Sequence, residues 1–261
     1  MRAVCLLLAL LPGLAGAVVL PITDARPLAA EGELRLRMPA GALELRPGTE
    51  PEVRLEGEIA PGTRLRWRET ANGLGLVLEH RERLAPPPAR LRLAVPATAR
   101  LRLEVGDAAV DAQGVGEGGL RLRGGGGDVA VRGGEGLREL HVETGAGAIR
   151  LDLPRPGRVR AESVGGAIEA RLGGTEGAEV RLESFSGPLR LQLPAGGPAR
   201  LELRQAGGPL VLPEAAQARP DGTLVLGEGE GEGEGGGRVR LVTFSGAVQV
   251  LEDPTLQRTN P

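Results

Sequence analysis

The chain has no lysine, no tyrosine and a single cysteine, and its 261 residues include one tryptophan and two phenylalanines. Each shortage excludes something. Cys5 falls inside an N-terminal apolar run, so a chain processed after that run carries no thiol. Disulfides, thiolate metal sites and cysteine nucleophiles are then excluded. With only Trp67, Phe185 and Phe244 as aromatics, a core must be built from Leu, Val, Ile and Ala and must be thin. The two histidines, His80 and His141, stand in no H-E-x-x-H or paired-ligand spacing. The four serines occupy no G-x-S-x-G elbow, and there is no P-loop. Gly124-Gly-Gly-Gly-Asp128 is one position out of step with a calcium nonapeptide and does not recur. We therefore expect no catalytic, cofactor-binding or metal-ligating residues, no cofactor, and no enzyme activity.

Charge is abundant but balanced. The 32 basic residues, all arginine, face 34 acidic ones for a formal net charge of −2. Arginine keeps its charge and forms two-pronged bonds to carboxylates, which suits fixed ion pairs. Balanced charge without stacking aromatics argues against nucleic acid as a partner.

The N-terminus has the form of a secretion signal. Met1-Arg2 gives a positive start, Ala3 to Leu14 an apolar run, and Ala15-Gly16-Ala17 a small-residue cleavage site. The run is shorter than the ~20 residues a bilayer needs. The expectation is a signal peptide over 1–17, a mature chain from Val18 to Pro261 without membrane insertion, and an extracytoplasmic location: periplasm, cell surface or secreted.

What the chain does have is a repeat. Leu140-His-Val-Glu-Thr-Gly-Ala-Gly-Ala-Ile-Arg-Leu151 superimposes without a gap on Val180-Arg-Leu-Glu-Ser-Phe-Ser-Gly-Pro-Leu-Arg-Leu191. Copies begin at Leu101, Leu120, Leu140, Val159, Val180, Leu201 and Val239, in steps of 19, 20, 19, 21, 21 and 38 residues, the last twice 19. A period near twenty residues is the signature of a solenoid, each copy being one coil. Burying about five apolar side chains per coil yields roughly 7–15 kcal/mol. Ordering some twenty residues costs on the order of 20–40 kcal/mol. A lone coil cannot stand, whereas stacked neighbours supply hydrogen bonds on both edges and close the core.

Stacking turns register into columns. Two inward apolar columns run through Leu101, Leu140 and Val180 and through Leu103, Val142 and Leu182. A turn column holds Gly127, Gly147, Gly166, Gly187, Gly208 and Gly246, with Ala108 the exception; repeated glycine means either a special backbone angle or close approach of neighbouring coils. Thr144, Ser163, Ser184 and Thr243, with Gln205 in line, form a hydroxyl column on the inward side, where corner bonding rather than a ligand stripe is expected. On the outside, Arg102/Glu104, Arg160/Glu162 and Arg181/Glu183 pair in one order and Glu202/Arg204 in the other, while Arg150, Glu169 and Arg190 alternate along a second stripe. Such pairs contribute ~0.2–1 kcal/mol each. The exception is Glu143, Glu162 and Glu183, like charges in three consecutive copies; Arg160 and Arg181 neutralise two, and Glu143 has only His141 beside it. A divalent cation is the alternative reading there.

Before the repeats, alternating segments begin at Leu34, Val53, Leu65, Leu74 and Leu91, divided by turn signals, with Asn72-Gly73 as a hairpin signal. One hidden copy has Leu34, Gly41, Leu43 and Leu45 at the offsets of Leu140, Gly147, Ile149 and Leu151. The reading is thus an all-β, single-stranded parallel β-helix or β-solenoid with 19–21-residue coils: linker 18–30, N-terminal antiparallel β-rich cap 31–98, repeats 99–251, tail 252–261. The Gly-Glu run over 227–237 reads as a flexible solvated loop.

Glu-Ser-Phe-Ser-Gly-Pro-Leu (183–189) and Val-Thr-Phe-Ser-Gly-Ala-Val (242–248) resemble the T/S-x-S-G-x-I units of the bacterial DUF4097 adhesin-like family and the related DUF2807 proteins. Leu91-Arg-Leu-Ala-Val-Pro-Ala-Thr-Ala-Arg-Leu-Arg-Leu103 is similar to a strand that leads into their repeats, and Gly41-Ala-Leu-Glu-Leu followed by Val53-Arg-Leu-Glu-Gly is similar to their opening. The resemblance covers about Glu31 to Leu251. It implies a single-stranded β-helix outside the cytoplasm and brings no site residues. The expected function is an exported non-catalytic adhesin-like module with a protein or polysaccharide partner at the cell envelope. The alternatives are a rigid structural or regulatory spacer and, last, a carbohydrate-active β-helix enzyme, for whose long catalytic loops these short copies leave little room.

Overall fold

Strands with one apolar and one polar face follow from the alternation, and they make up the molecule. The computed structural model describes residues 19–80, 89–134, 136–218, 223–226 and 237–256; the signal segment 1–17, most of the Gly-Glu run and the last five residues lie outside them. Among the described residues there is no helix, and the strands join one hydrogen-bonded sheet. The N-terminal strands are β1 (Leu20–Pro27), β2 (Glu33–Gly48), β3 (Glu52–Ile59), β4 (Thr63–Thr70), β5 (Gly73–His80) and β6 (Ala89–Pro96). The long β7 (Arg100–Val115) follows. Strands then come in pairs: β8 (Leu120–Gly124) with β9 (Val129–Gly133), β10 (Glu139–Thr144) with β11 (Ile149–Leu153), and β12 (Arg158–Ser163) with β13 (Ile168–Leu172). The series continues with β14 (Glu179–Ser184) and β15 (Leu189–Pro194), then β16 (Ala199–Gln205) and β17 (Leu210–Val211). Two short strands, β18 (Gln217–Ala218) and β19 (Leu224–Leu226), precede β20 (Gly237–Thr243) and β21 (Val248–Asp253).

The gapless superposition of the repeats is also their hydrogen-bonding register. First strands pair in parallel as Leu101↔Leu120, Leu120↔Leu140, Leu140↔Val159 and Val159↔Val180. Second strands do the same as Val110↔Val129, Val129↔Ile149, Ile149↔Ile168 and Ile168↔Leu189. The hidden copy joins the series: Leu34 pairs with Leu101, Gly41 with Ala108, Leu43 with Val110 and Leu45 with Ala112. The inward columns are buried, Leu140, Val159, Val180 and Val239 each by 99% or more, and one aliphatic core runs from Leu28 to Val250.

Two features differ from the sequence reading. The N-terminal region is mixed rather than antiparallel. β2 pairs in parallel on both edges, with β7 on one side and β5 and β6 on the other. Antiparallel pairing is confined to β1–β3, β3–β6 and the β4–β5 hairpin. In that hairpin Thr70 faces Gly73, so the turn is Ala71-Asn72. Gly73 serves a close approach instead: its φ is +150°, and a Cβ there would collide with the Glu33 carbonyl on β2.

The second difference is order. Sequence places the Leu201 copy directly on the Val180 copy. In the structure Val180 pairs with Val239, and Val239 with Leu201. Likewise Leu189 pairs with Val248, and Val248 with Leu210. The last copy along the chain is inserted between two earlier ones, so the step of 38 is not a missing unit. The Leu201 and Val239 copies fit the same register, which is why spacing could not order them. The outer edge of β16 takes β19 antiparallel, through Ala199↔Leu226 and Leu201↔Leu224.

Candidate functional site

From β8 on, each repeat turns from its first strand to its second through a four-residue corner, which β2 and β7 cross as continuous strands. Polar side chains facing inward there need partners, and the hydroxyl column meets that need locally. Thr144 Oγ1 donates to the Gly147 carbonyl at 2.9 Å, while Ser163 Oγ accepts from Gly166 N at 2.8 Å and Thr243 Oγ1 from Gly246 N at 3.0 Å. Ser184 Oγ is buried without a hydrogen-bond partner. In the end repeat Gln205 spans the corner, its Nε2 donating to the carbonyls of Gly207 (3.1 Å), Pro209 (3.3 Å) and Gly246 (3.0 Å). The glycine column reflects close approach. A Cβ on Gly147, Gly166, Gly187 or Gly246 would run into the backbone carbonyl of Gly127, Gly147, Gly166 or Gly187 in turn.

Since the hydroxyl points in, the next residue points out. That offset holds Val164, Phe185 and Phe244, exposed by 62, 59 and 59%. The two rings stack with centroids 5.2 Å apart and planes 5° from parallel. Both phenylalanines of the chain are therefore on the surface, brought together by the insertion of the last repeat. The corners around them, 145–148, 164–167, 185–188, 206–209 and 244–247, contain no charged residue. The strip ends at Asp128, which accepts from Ala148 N at 3.0 Å and pairs with Arg150 at 3.3 Å. That backbone hydrogen bond, aided by Arg150 and opposed by burial, holds the Asp128 carboxyl below its ordinary value. The sequence identifies Phe185 and Phe244 as scarce aromatics and as part of a motif, not as a surface pair. Their shared offset, one past an inward hydroxyl, was the signal of outward placement.

The acidic column lies on the adjoining strands. Ligand atoms of His141, Glu143 and Glu162 fall within 4.8 Å of one another, and Glu183 stands outside that group. His141 Nε2 lies 2.8 Å from Glu143 Oε1 but makes no hydrogen bond. Glu143 also has an arginine that the sequence reading missed, Arg123 of the preceding repeat at 2.9 Å. Glu162 is bonded to Arg160, and Glu183 to Arg181 through Nε at 2.6 Å. Each carboxylate thus has its own guanidinium, and a cation there would have to displace Arg123 and Arg160. Other pairs stay on one strand, as Arg35–Glu33 and Arg46–Glu44 do, or reach across repeats. Arg102 reaches Glu33 at 3.4 Å, Glu104 is bonded by Arg37, and Glu202 stands 3.9 and 3.8 Å from Arg238 and Arg240.

A shallow groove between β1 and the β2–β6–β7 surface is bordered by both signs of charge, with Glu44, Glu58 and Asp111 beside Arg46, Arg90 and Arg92. Hydrogen bonds from Arg46 and Arg92 hold the Glu44 carboxyl below its ordinary value. Glu33 is lowered chiefly by its hydrogen bond from Arg35, and Asp253 chiefly by that from Thr255. His80 Nδ1 is 3.1 Å from Thr63 Oγ1, and Trp67 Nε1 donates to Asp24 at 2.9 Å.

No family model and no curated protein matches the chain. Among solved structures, a protein of Clostridium sporogenes provisionally named a cell adhesion protein is 11% identical, covering 89% of this chain and 100% of its own at a TM-score of 0.40. One of Parabacteroides distasonis, provisionally named a lipid binding protein, is 12% identical, covering 89% and 96% at 0.44. A provisionally named adhesin of Bacteroides fragilis is 10% identical, covering 89% and 96% at 0.28. These are remote likenesses, and no ligand is carried over from them.

Proposed function

We propose that the protein is an exported, non-catalytic, adhesin-like β-solenoid of 19–21-residue coils that binds a protein or polymer partner at the cell envelope along its uncharged corner. The observation that carries this reading is the outward stacking of Phe185 and Phe244 beside Val164. Aromatic side chains left in water contribute nothing to the core, and contiguous exposed apolar surface marks contact sites. The parallel registers support the coil reading, and the signal-like segment over 1–17 supports export.

The compensated Arg–Glu columns favour a second reading, a rigid spacer with no ligand. One experiment separates the two. The protein and its Phe185→Ser/Phe244→Ser variant are passed over glycan arrays and immobilised envelope polymers, with circular dichroism confirming that both fold. Binding that the variant loses supports the corner as the contact site. Equal binding by both moves the contact elsewhere, and no binding by either leaves the spacer.

A further inference from the structure

The inserted repeat occupies a slot. Its walls are β14–β15 on one side and β16–β17 on the other, and β20–β21 fills it with chain from beyond both. We infer that the slot accepts residues 237–253 from its own chain or from a second copy, so that the protein exchanges its C-terminal repeat between molecules.

Three observations carry this. The insert is held by contacts that any copy reproduces: Leu241 between Leu182 and Leu203, Val248 between Leu189 and Leu210, and Gln249 accepting from Arg190 Nε at 3.0 Å. Exchanged and unexchanged forms therefore bury the same surface, and concentration and the connecting segment decide between them. Second, the slot walls match each other. Val180 and Leu201, Gly187 and Gly208, and Leu189 and Leu210 share repeat offsets, so the end repeat can rest on β14–β15 while the insert is out, and the core opened during exchange is confined to the insert itself. Third, the insert fits better than the end repeat. It brings Phe244 onto Phe185 and a hydroxyl to its own corner, where the end repeat has Ala206 and Gln205. Association by strand addition to an unpaired edge is a general mode of recognition.

This inference concerns self-association and is independent of the ligand at the corner. The test uses the full chain with Cys5→Ser, Glu183→Cys and Val242→Cys. Residues 183 and 242 are direct partners on β14 and β20, and parallel neighbours ~4.8 Å apart suit a disulfide. The chain is unfolded, refolded at micromolar and near-millimolar concentration, oxidised, and read by non-reducing electrophoresis and light scattering. We expect disulfide-closed monomers when dilute, and covalent dimers and longer chains growing several-fold with concentration. Deleting residues 229–234 from the connector should shift the balance further to dimers. Closed monomers alone, at every concentration and with the short connector, overturn the inference. So does the absence of any 183–242 disulfide, or dimer formation no greater than that of the single-cysteine chains.

Discussion

Adjacent glycines in this molecule have opposite duties. A Cβ on Gly166 would meet the carbonyl of Gly147, and every close atom there is backbone, with no flexible group to yield. On Gly165 the nearest atoms are 4.0 Å away. Gly166→Ala should cost about 1–3 kcal/mol or more, while Gly165→Ala should fall within about 0.5 kcal/mol of the parent; urea midpoints of the two variants check this. Glu33 offers a second test. Arg35, with Arg102, holds its carboxyl below the ordinary value, so its contribution is fully present above the unfolded value of about 4.3 and is lost as pH falls through the lowered folded value. In that acid window the unfolded chain binds more protons, and stability rises with pH. Glu33→Gln should flatten this part of the stability curve, as read by denaturation at pH 6 and at successively lower pH.

At the scale of the strand and its corner, the inward columns were legible because period and parity together fix which side chain faces the core. Thr144, Ser163 and Thr243 make the corner bonds that parity required. The partners of the charged residues were legible only in part. Arg160 and Arg181 take the carboxylate two residues along, whereas Arg102 and Glu104 each reach another strand. Both separations are comparable in a sheet, so spacing cannot choose between them. The corners make a contrasting prediction. Thr243→Val leaves Gly246 N–H without its acceptor and should cost about 1–3 kcal/mol. Ser184→Ala removes a buried hydroxyl with no partner and should cost nothing or stabilise, as thermal or urea unfolding will show.

For the whole molecule, the repeat predicted the stacking but not the sequence of stacking. Leu201 and Val239 begin copies whose spacing fits Val180 equally well, and the structure seats the Val239 copy there, with Phe244 on Phe185. The hidden copy at Leu34 was readable for the opposite reason: its glycine and leucines keep all four offsets. A stack held by contacts between neighbours should not unfold everywhere at once. Leu241→Ala removes a fully buried side chain near one end, at a cost of about 2–5 kcal/mol. Trp67, the chain's one tryptophan, reports from the other end. Loss of β circular dichroism in that variant should begin before the Trp67 fluorescence changes, and coincident transitions would show a single cooperative unit.

The bare carbonyl-to-glycine contact at each corner has one more consequence. Main chain alone sets the height of every layer, so each unit is a brick of the same thickness whatever its other residues are. Duplicating or removing a whole brick changes the length of the wall without refitting the masonry on either side.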